Sequence, residues 1–217
     1  LAARNLVKLA EHLYGQGRDN EAVAAYERSL RWDPTHFVAL YNLARFAWER
    51  GDPARAGALT RQALLQAPHS PSLNYRMGLV LYDDGRIEDA EKFLRAAVDL
   101  DPEYPEPLIV LGDIHRTRGE HRLATHLYRQ ATLLGDAGAE AHAALAQSLA
   151  DEGERDEAAR EVAAALRISP GYPEAIYTRA RLSHAAGRTE EARADLATAV
   201  KTGGEQFRRR ALADPEL

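Results

Sequence analysis

The stretch GRIEDAEKFLRAAVDLDP, residues 85–102, carries three marks that decide the fold: a glycine, an alanine five residues later and a proline seventeen residues after the glycine. The glycine returns every 34 residues, at Gly17, Gly51, Gly85, Gly119, Gly153 and Gly187. The alanine returns with it, at Ala22, Ala56, Ala90, Ala124, Ala158 and Ala192, and the proline at Pro34, Pro68, Pro102 and Pro170. A period of this length indicates an array of repeated units that bury their apolar faces against each other.

Each unit has the pattern of two short helices. Apolar residues recur at steps of three and four, as in VALYNLARFAWER at 38–50, which is the periodicity of one face of an α-helix. The glycine is suited to end the first helix because it adopts a left-handed conformation without a Cβ clash. The proline ends the second helix because it cannot donate the next helical hydrogen bond. The sequence therefore predicts an all-α fold of helix–turn–helix units, with Pro71, Pro105 and Pro173 at helix starts.

Small residues mark the place where the two helices of a unit cross. The position seven residues before each glycine holds Ala10, Ala44, Gly78, Gly112, Ala146 and Ala180. Antiparallel helices joined by a tight turn approach most closely where both facing side chains are small. We therefore expect this position to face the recurrent alanine, so that Ala90→Leu overpacks the crossing.

This pattern resembles the tetratricopeptide repeat. The resemblance covers 204 of 217 residues in six repeats, 3–36, 37–70, 71–104, 105–138, 139–172 and 173–206. It implies an α-solenoid, a right-handed superhelix that forms a single array over 1–217, with 207–217 as a partial capping helix or a tail. The sequence departs from the family at position 4 of the unit, where no tryptophan occurs, and at 135–138, where GDAG replaces the proline turn as either a soft joint or an ordinary variant turn.

The composition restricts the class of partner. The chain has 33 acidic and 28 basic residues and a formal charge of −5, so it has no general attraction to nucleic acid or an anionic membrane. Cysteine is absent, which excludes disulfides and thiolate chemistry and fits either redox compartment. No apolar run is long enough to span a bilayer; we favour the cytoplasm over the periplasm. The high usage of alanine and arginine indicates a bacterial source, and Leu1 inside a helical pattern leads us to expect further sequence upstream.

Motifs for catalysis are missing from the sequence. It has no phosphate-binding loop, dinucleotide fingerprint, H-E-x-x-H or G-x-S-x-G. The densest histidines are His115, His121 and His126, whose spacings of six and five do not share one helical face. We predict that the chain is not an enzyme and has no catalytic residue, no cofactor and no metal site.

The resemblance implies a binding surface on the first helices, whose positions 5 and 12 face a concave side. In the first three units these positions are mostly aromatic, and tyrosine and tryptophan are enriched at binding hot spots. Inward positions 2, 6 and 9 are mostly basic in repeats 1–3 and mostly acidic in repeats 4–6. Repeats 1–3 carry Arg4, Lys8, Arg45 and Arg76 against Glu11, and repeats 4–6 carry Glu106, Asp113, Glu140 and Glu174 against Arg181, with Arg116 at position 12. The predicted partner-binding residues are Tyr14, Tyr41, Arg45, Trp48, Tyr75, Arg76, Leu79 and Tyr82. The alternative is that the tyrosines simply pack between adjacent first helices.

These features predict a protein–protein interaction module or assembly scaffold that binds a peptide or partner segment in the concave groove. A segment with aromatic or aliphatic anchors and acidic groups suits the first half. The lysine and asparagine with which one subset of the family holds carboxylates are absent, because Val7, Glu11, Tyr41 and Arg45 occupy those positions. Two alternatives stay open: the substrate-docking arm of a larger enzyme, and a self-assembling scaffold that docks end to groove.

Overall fold

The computed structural model describes residues 2–134 and 137–214, and these residues form α-helices without any strand. They fall into two compact units, Leu1–Pro102 (unit 1) and Glu103–Leu217 (unit 2). The predicted fold class, all-α with six helix–turn–helix repeats and one more helix at the C-terminus, is confirmed. A single array over 1–217 stays a prediction, and the predicted joint at 135–138 includes Gly135 and Asp136, which lie outside the described residues.

Unit 1 contains three helix pairs, in which α1, α3 and α5 are the first helices. Their bounds are α1 (Ala2–Gly15), α2 (Asp19–Trp32), α3 (Phe37–Glu49), α4 (Pro53–Gln66), α5 (Pro71–Asp83) and α6 (Ile87–Leu100). The core of α1–α3 contains Val7, Leu13, Tyr26, Leu43 and Phe46, and a second cluster joins Leu40 and Leu73 of α3 and α5.

Unit 2 contains three further pairs and the C-terminal helix. Their bounds are α7 (Pro105–Thr117), α8 (His121–Leu133), α9 (Ala139–Asp151), α10 (Arg155–Ile168), α11 (Pro173–Ala185), α12 (Thr189–Gly203) and α13 (Glu205–Ala213). α13 is anchored by Phe207, which is buried against Ile176, Tyr177 and Ala199. The last helix pair therefore has its apolar side covered by a segment of the same chain.

The six periodic glycines end the first helices as predicted. All of them have a positive φ, between 71° and 85°, and a Cβ added to any of them would meet nothing within 4 Å. Glycine is thus required by the left-handed backbone and not by lack of space. After Gly85 the N–H of Arg86 donates to the carbonyl of Leu81 at 2.8 Å, which closes the helix end.

The helix crossings are packed without spare room. Every alanine at the two crossing positions is buried, namely Ala10, Ala22, Ala44, Ala56, Ala90, Ala124, Ala146, Ala158, Ala180 and Ala192. A Cβ built on Gly78 would lie 2.7 Å from Cδ2 of Leu94, which is much closer than a carbon–carbon contact allows. The position of Gly78 therefore has to be small, as expected, whereas the alanine positions are shown to be buried.

Two polar residues at position 4 are accommodated by hydrogen bonds. Asn74 is buried, and its Nδ2 donates to the carbonyl oxygens of Pro68 at 3.0 Å and Ser70 at 2.9 Å. His142 is half-buried, and its Nδ1 lies 2.7 Å from Oε2 of Glu161. A buried polar group is tolerated when it is hydrogen-bonded, so these departures from the family pattern do not disturb the helix pairs.

Candidate functional site

The eight predicted partner-binding residues lie on the three first helices of unit 1, and we call them the first-helix surface. Tyr14 belongs to α1, the residues Tyr41, Arg45 and Trp48 belong to α3, and the remaining four belong to α5. Tyr14 is 44% exposed and the other seven are half-buried. Each of these side chains therefore keeps part of its surface in solvent, where a partner can reach it.

Arg45 connects α3 to α1 through Tyr14. Its Nη1 donates to Oη of Tyr14 at 3.0 Å and to Oε1 of Glu49 at 2.9 Å. The guanidinium carbon lies 4.4 Å from the ring centroid of Tyr14 and 4.7 Å from that of Phe46, within the range of cation–π attraction. Burial lowers the pKa of Arg45, but the hydrogen bond to Tyr14 and the charge of Glu49 outweigh burial, so the pKa lies above its ordinary value. Arg45 is a fixed, permanent cation.

Arg76 connects α5 to α3 in a different way. Its guanidinium carbon lies 5.3 Å from the ring centroid of Tyr41, which itself stacks on Phe37 with centroids 6.2 Å apart. The Nε of Arg76 is shielded from solvent and has no hydrogen-bond partner. No carboxylate among the described residues pairs with this side chain. A buried donor without a hydrogen bond costs about 1–3 kcal/mol, and the Tyr41 ring lies against the same guanidinium.

Trp48 contributes to packing as well as to the surface. It packs against the buried cluster of Ala47, Ala56 and Val80 beside the crossing of α3 and α4. Tyr75 and Tyr82 also make interactions within the protein. The packing interpretation of the aromatic residues thus describes part of their role, and the sides that stay in solvent are available for a partner.

In unit 2 the first helices carry carboxylates at position 2. Glu106, Glu140 and Glu174 occupy this position in α7, α9 and α11. A cavity of about 240 Å³ opens beside the last two; its lining is Ile109, Asp113, Arg116, Glu140, Ala143, Ala144, Gln147, Tyr172, Glu174 and Arg210. Glu140 is exposed by surface area, but the surrounding protein partly desolvates its carboxyl and raises its pKa, and the charges of Asp113, Glu106 and Glu174 raise the pKa further. The first helices of unit 2 therefore present an excess of negative charge.

The middle of α11 holds a carboxylate from the same chain, a feature that sequence reasoning missed. Oη of Tyr177 donates to Oδ2 of Asp214 at 2.7 Å, and Nε of Arg181 lies 3.2 Å from the same oxygen. Arg210 places its guanidinium carbon 4.4 Å from the ring centroid of Tyr177. The Nη1 of Arg181 donates to Asp151 at 2.7 Å. Burial, followed by the hydrogen bond to Asp214, raises the pKa of Tyr177, so its hydroxyl stays a donor.

A second feature that sequence reasoning missed is a cavity of about 610 Å³ in unit 1, formed by α4, α5 and α6. Its apolar lining includes Leu64, Leu65, Met77, Leu81 and Phe93. Among residues 2–134 and 137–214 there is no group of three or more metal-ligating side chains arranged to hold an ion. Over the same residues, each helix is too short or too polar to cross a bilayer.

Comparison with known families identifies the repeats. Models described as tetratricopeptide repeat match residues 13–76 and 149–213, 109–173 and 71–104, and the first model alone matches more than half of the chain. The chain belongs to the tetratricopeptide repeat family. The predicted resemblance is therefore confirmed.

One curated protein and two solved structures are described here as similar to the chain. Human tetratricopeptide repeat protein 7B is 30% identical over 119 residues, which are 55% of this chain and 14% of that protein. The chain therefore spans a small part of this relative. The structure of the APC/C hetero-tetramer Cut9–Hcn1 matches with a TM-score of 0.82 and 17% identity over 97% of this chain and 42% of that chain. YrrB, a tetratricopeptide repeat protein with an unusual peptide-binding site, matches with a TM-score of 0.56 and 21% identity over 88% and 98%. Both identities are below 25%, so these two likenesses concern the fold.

Proposed function

We propose that the chain is a protein–protein interaction module that binds a segment of a partner protein on the first-helix surface of unit 1. The observation that carries the proposal is the row of partly exposed aromatic and basic side chains on three adjacent first helices, in which the guanidinium of Arg76 lies over the Tyr41 ring and its Nε has no hydrogen-bond partner. Function rests on binding and not on turnover.

The chemistry of the surface favours a particular kind of segment. Aromatic rings with polar tips offer stiff contact area that loses little side-chain entropy on binding. The fixed cations of Arg45 and Arg76 attract negative charge and would accelerate the encounter with an acidic partner. We therefore expect the bound segment to combine aliphatic or aromatic anchors with at least one acidic group.

Proteins of the same fold support this proposal. YrrB is described as having a peptide-binding site, and Cut9 is described in a complex with Hcn1. Those properties belong to these two proteins. They show that a solenoid of this kind can hold a peptide or a second protein, which is what we propose for the present chain.

The test is a capture experiment with two triple variants of the full chain. The first is Tyr41→Ala/Trp48→Ala/Tyr75→Ala, which removes aromatic area from the first-helix surface. The matched control is Trp32→Ala/Leu65→Ala/Leu133→Ala, which removes apolar side chains that are 71%, 81% and 79% exposed elsewhere. Helicity and thermal midpoint are measured for both.

Partners captured by the wild type and the control, but lost by the first variant, would support the proposal. If folded samples of all three proteins capture the same set, the aromatic row is packing only and the proposal is wrong.

Self-assembly is the second candidate, and it is favoured by the apolar side chains that stand in solvent at helix ends. Trp32, Leu65, Leu133 and Leu212 are each more than 70% exposed. Light scattering over a concentration series separates this candidate from a monomeric binder: a mass that grows with concentration, and that the control triple variant lowers, supports self-assembly.

A further inference from the structure

Trp32 is an exposed apolar side chain at the end of α2. It is 71% exposed, and among the described residues its ring has no aromatic partner and its indole N–H makes no hydrogen bond. The next residue, Asp33, accepts hydrogen bonds from Oγ1 of Thr35 at 2.9 Å and from the N–H of Thr35 at 3.1 Å. These bonds hold the pKa of Asp33 below its ordinary value, so its carboxylate stays charged. We call Trp32 and Asp33 the α2 knob.

The cavity formed by α4, α5 and α6 has complementary chemistry. Its apolar lining consists of Leu64, Leu65, Pro68, Met77, Leu81 and Phe93. Asn74 also lines it, at a position where four of the six repeats have leucine or isoleucine.

Two polar groups of this cavity are left without a partner. Nδ2 of Asn74 makes both of its hydrogen bonds, while Oδ1 accepts none from the described residues and is not shielded from solvent. Arg61 lines the cavity, is exposed and makes no ion pair among residues 2–134 and 137–214. The cavity therefore combines apolar walls, an open acceptor and an unpaired cation.

The α2 knob and the cavity are neighbours within unit 1. Leu30, two residues before Trp32, and Leu64, which lines the cavity, pack against the same buried cluster around Leu73. The ends of α2 and α4 therefore lie side by side, and Trp32 does not line the cavity of its own chain. A surface that carries both a projection and a matching cavity can pair with itself about a twofold axis, since each contact then occurs twice.

We propose that the α2 knob of one copy occupies the cavity of a second copy, and that two copies exchange their knobs to form a closed dimer. The indole ring covers the apolar walls, its N–H donates to Oδ1 of Asn74, and the carboxylate of Asp33 lies against Arg61. The proposal rests on self-assembly, the second candidate function, and gives it a surface. It does not depend on segment binding by the first-helix surface.

The size of the contact sets its expected strength. A tryptophan side chain buries about 150–250 Å², so two rings and the walls that they cover account for roughly 600–1,000 Å². This area is at the low end of specific interfaces. We therefore expect a dimer that dissociates at micromolar concentrations and that depends strongly on the ring, because tryptophan dominates the energy of such contacts.

The experiment is sedimentation equilibrium of the full chain over a concentration series from about 1 µM to about 1 mM. Trp32→Ala removes the ring, and Leu65→Glu places a charge on the apolar lining of the cavity. Leu133→Ala is the matched control, because it removes a similarly exposed apolar side chain at a helix end of unit 2. Circular dichroism and thermal midpoints confirm that each variant is folded.

We expect the wild type and Leu133→Ala to reach the mass of two chains and no higher mass. Trp32→Ala and Leu65→Glu should each raise the dissociation constant by about a hundredfold or more, because the contact is lost twice in the dimer. Arg61→Glu should weaken the dimer by repulsion from Asp33, and the double change Asp33→Lys/Arg61→Glu should restore it.

The fluorescence of Trp32 reports on the α2 knob directly. Trp32 and Trp48 are the two tryptophans of the chain, so Trp48→Phe leaves Trp32 as the single tryptophan. Its emission maximum should move to shorter wavelength as the concentration rises, since the ring passes from water into an apolar cavity.

The outcomes separate this proposal from the others. A monomer at every concentration overturns the dimer and leaves segment binding on the first-helix surface standing. A dimer that Trp32→Ala and Leu133→Ala weaken equally, or one that forms without a shift in the emission of Trp32, overturns the exchange of knobs and assigns self-assembly to another surface. Masses above two chains overturn the closed dimer.

Discussion

Replacing Ala90 by leucine should destabilise the third helix pair, which carries half of the first-helix surface. Ala90 is completely buried at the crossing of α5 and α6. Its carbonyl oxygen would lie 3.5 Å from a Cβ on Gly78, and Leu94 fills the space beside it. The substitution exchanges a methyl for an isobutyl group at a fully buried position of a crossing where the opposite helix has no room for a Cβ on Gly78.

The magnitude follows from this lack of space. Overpacking of a filled core costs about 1–3 kcal/mol, and the helix propensities of alanine and leucine differ too little to offset it. In a chain of this size each kcal/mol lowers the thermal midpoint by about 2–4 °C, so Ala90→Leu should lower it by roughly 2–12 °C. The control is Ala58→Leu, the same change at an exposed position of α4, which should stay within about 0.5 kcal/mol of the wild type.

The assay is thermal unfolding followed by circular dichroism, with both variants and the wild type at equal concentration. The reasoning is refuted if Ala90→Leu and Ala58→Leu have the same thermal midpoint, because the crossing would then accommodate the larger side chain.

Three further predictions follow from features of single residues. Gly85→Ala places a side chain at φ 73° and should lower the free energy of unfolding by about 1 kcal/mol. Gly15→Ala is the control, because Gly15 is in a helical position with free space; its denaturant midpoint should stay the same or rise. Equal effects of the two changes would contradict the role of φ. Asp214→Ala removes the acceptor of Tyr177 and should weaken the docking of α13 by roughly 2 kcal/mol. Amide hydrogen exchange in α13 should then be faster than in the wild type. Unchanged exchange would show that Phe207 alone holds the helix. Glu140→Gln should raise the thermal midpoint at pH 7, because a carboxyl whose pKa is raised in the folded state loses stability as the pH rises through that pKa. The gain should vanish as the pH falls towards the ordinary carboxyl range, and a gain independent of pH would rule out the electrostatic cause.

The local rules of the backbone made most of the fold predictable. Gly85 ends a helix because of its own φ, Pro71 begins one because of its missing N–H, and Ala90 marks a crossing because of its size. Each of these properties belongs to one residue. The glycine and the alanine return every 34 residues and the proline returns at Pro105 and Pro173, so the helix pairs follow from the sequence without knowledge of distant contacts.

The candidate site was less predictable because its contacts join neighbouring repeats. Arg45 reaches Tyr14, which is 31 residues away, and Asp214 reaches Tyr177, which is 37 residues away. Such pairs depend on side-chain rotamers and on how one helix pair packs on the next. Neither can be predicted from the pattern of residues within a single repeat. Arg181 illustrates the difference: the sequence shows only a basic residue among the acidic inward positions, whereas the structure places it between Asp151 and Asp214.

The carboxylate of Asp214 also competes with any external acidic ligand for Tyr177 and Arg181, because it belongs to the same chain. It follows α13 directly and is therefore present at its binding position with an effective concentration on the order of millimolar. A free acidic segment of equal intrinsic affinity, at a concentration on the order of micromolar, would hold Tyr177 and Arg181 only about one part in a thousand of the time. The last repeat is thus closed to weak acidic ligands by mass action, and only a segment that gains further contacts, or that first displaces α13, can occupy it.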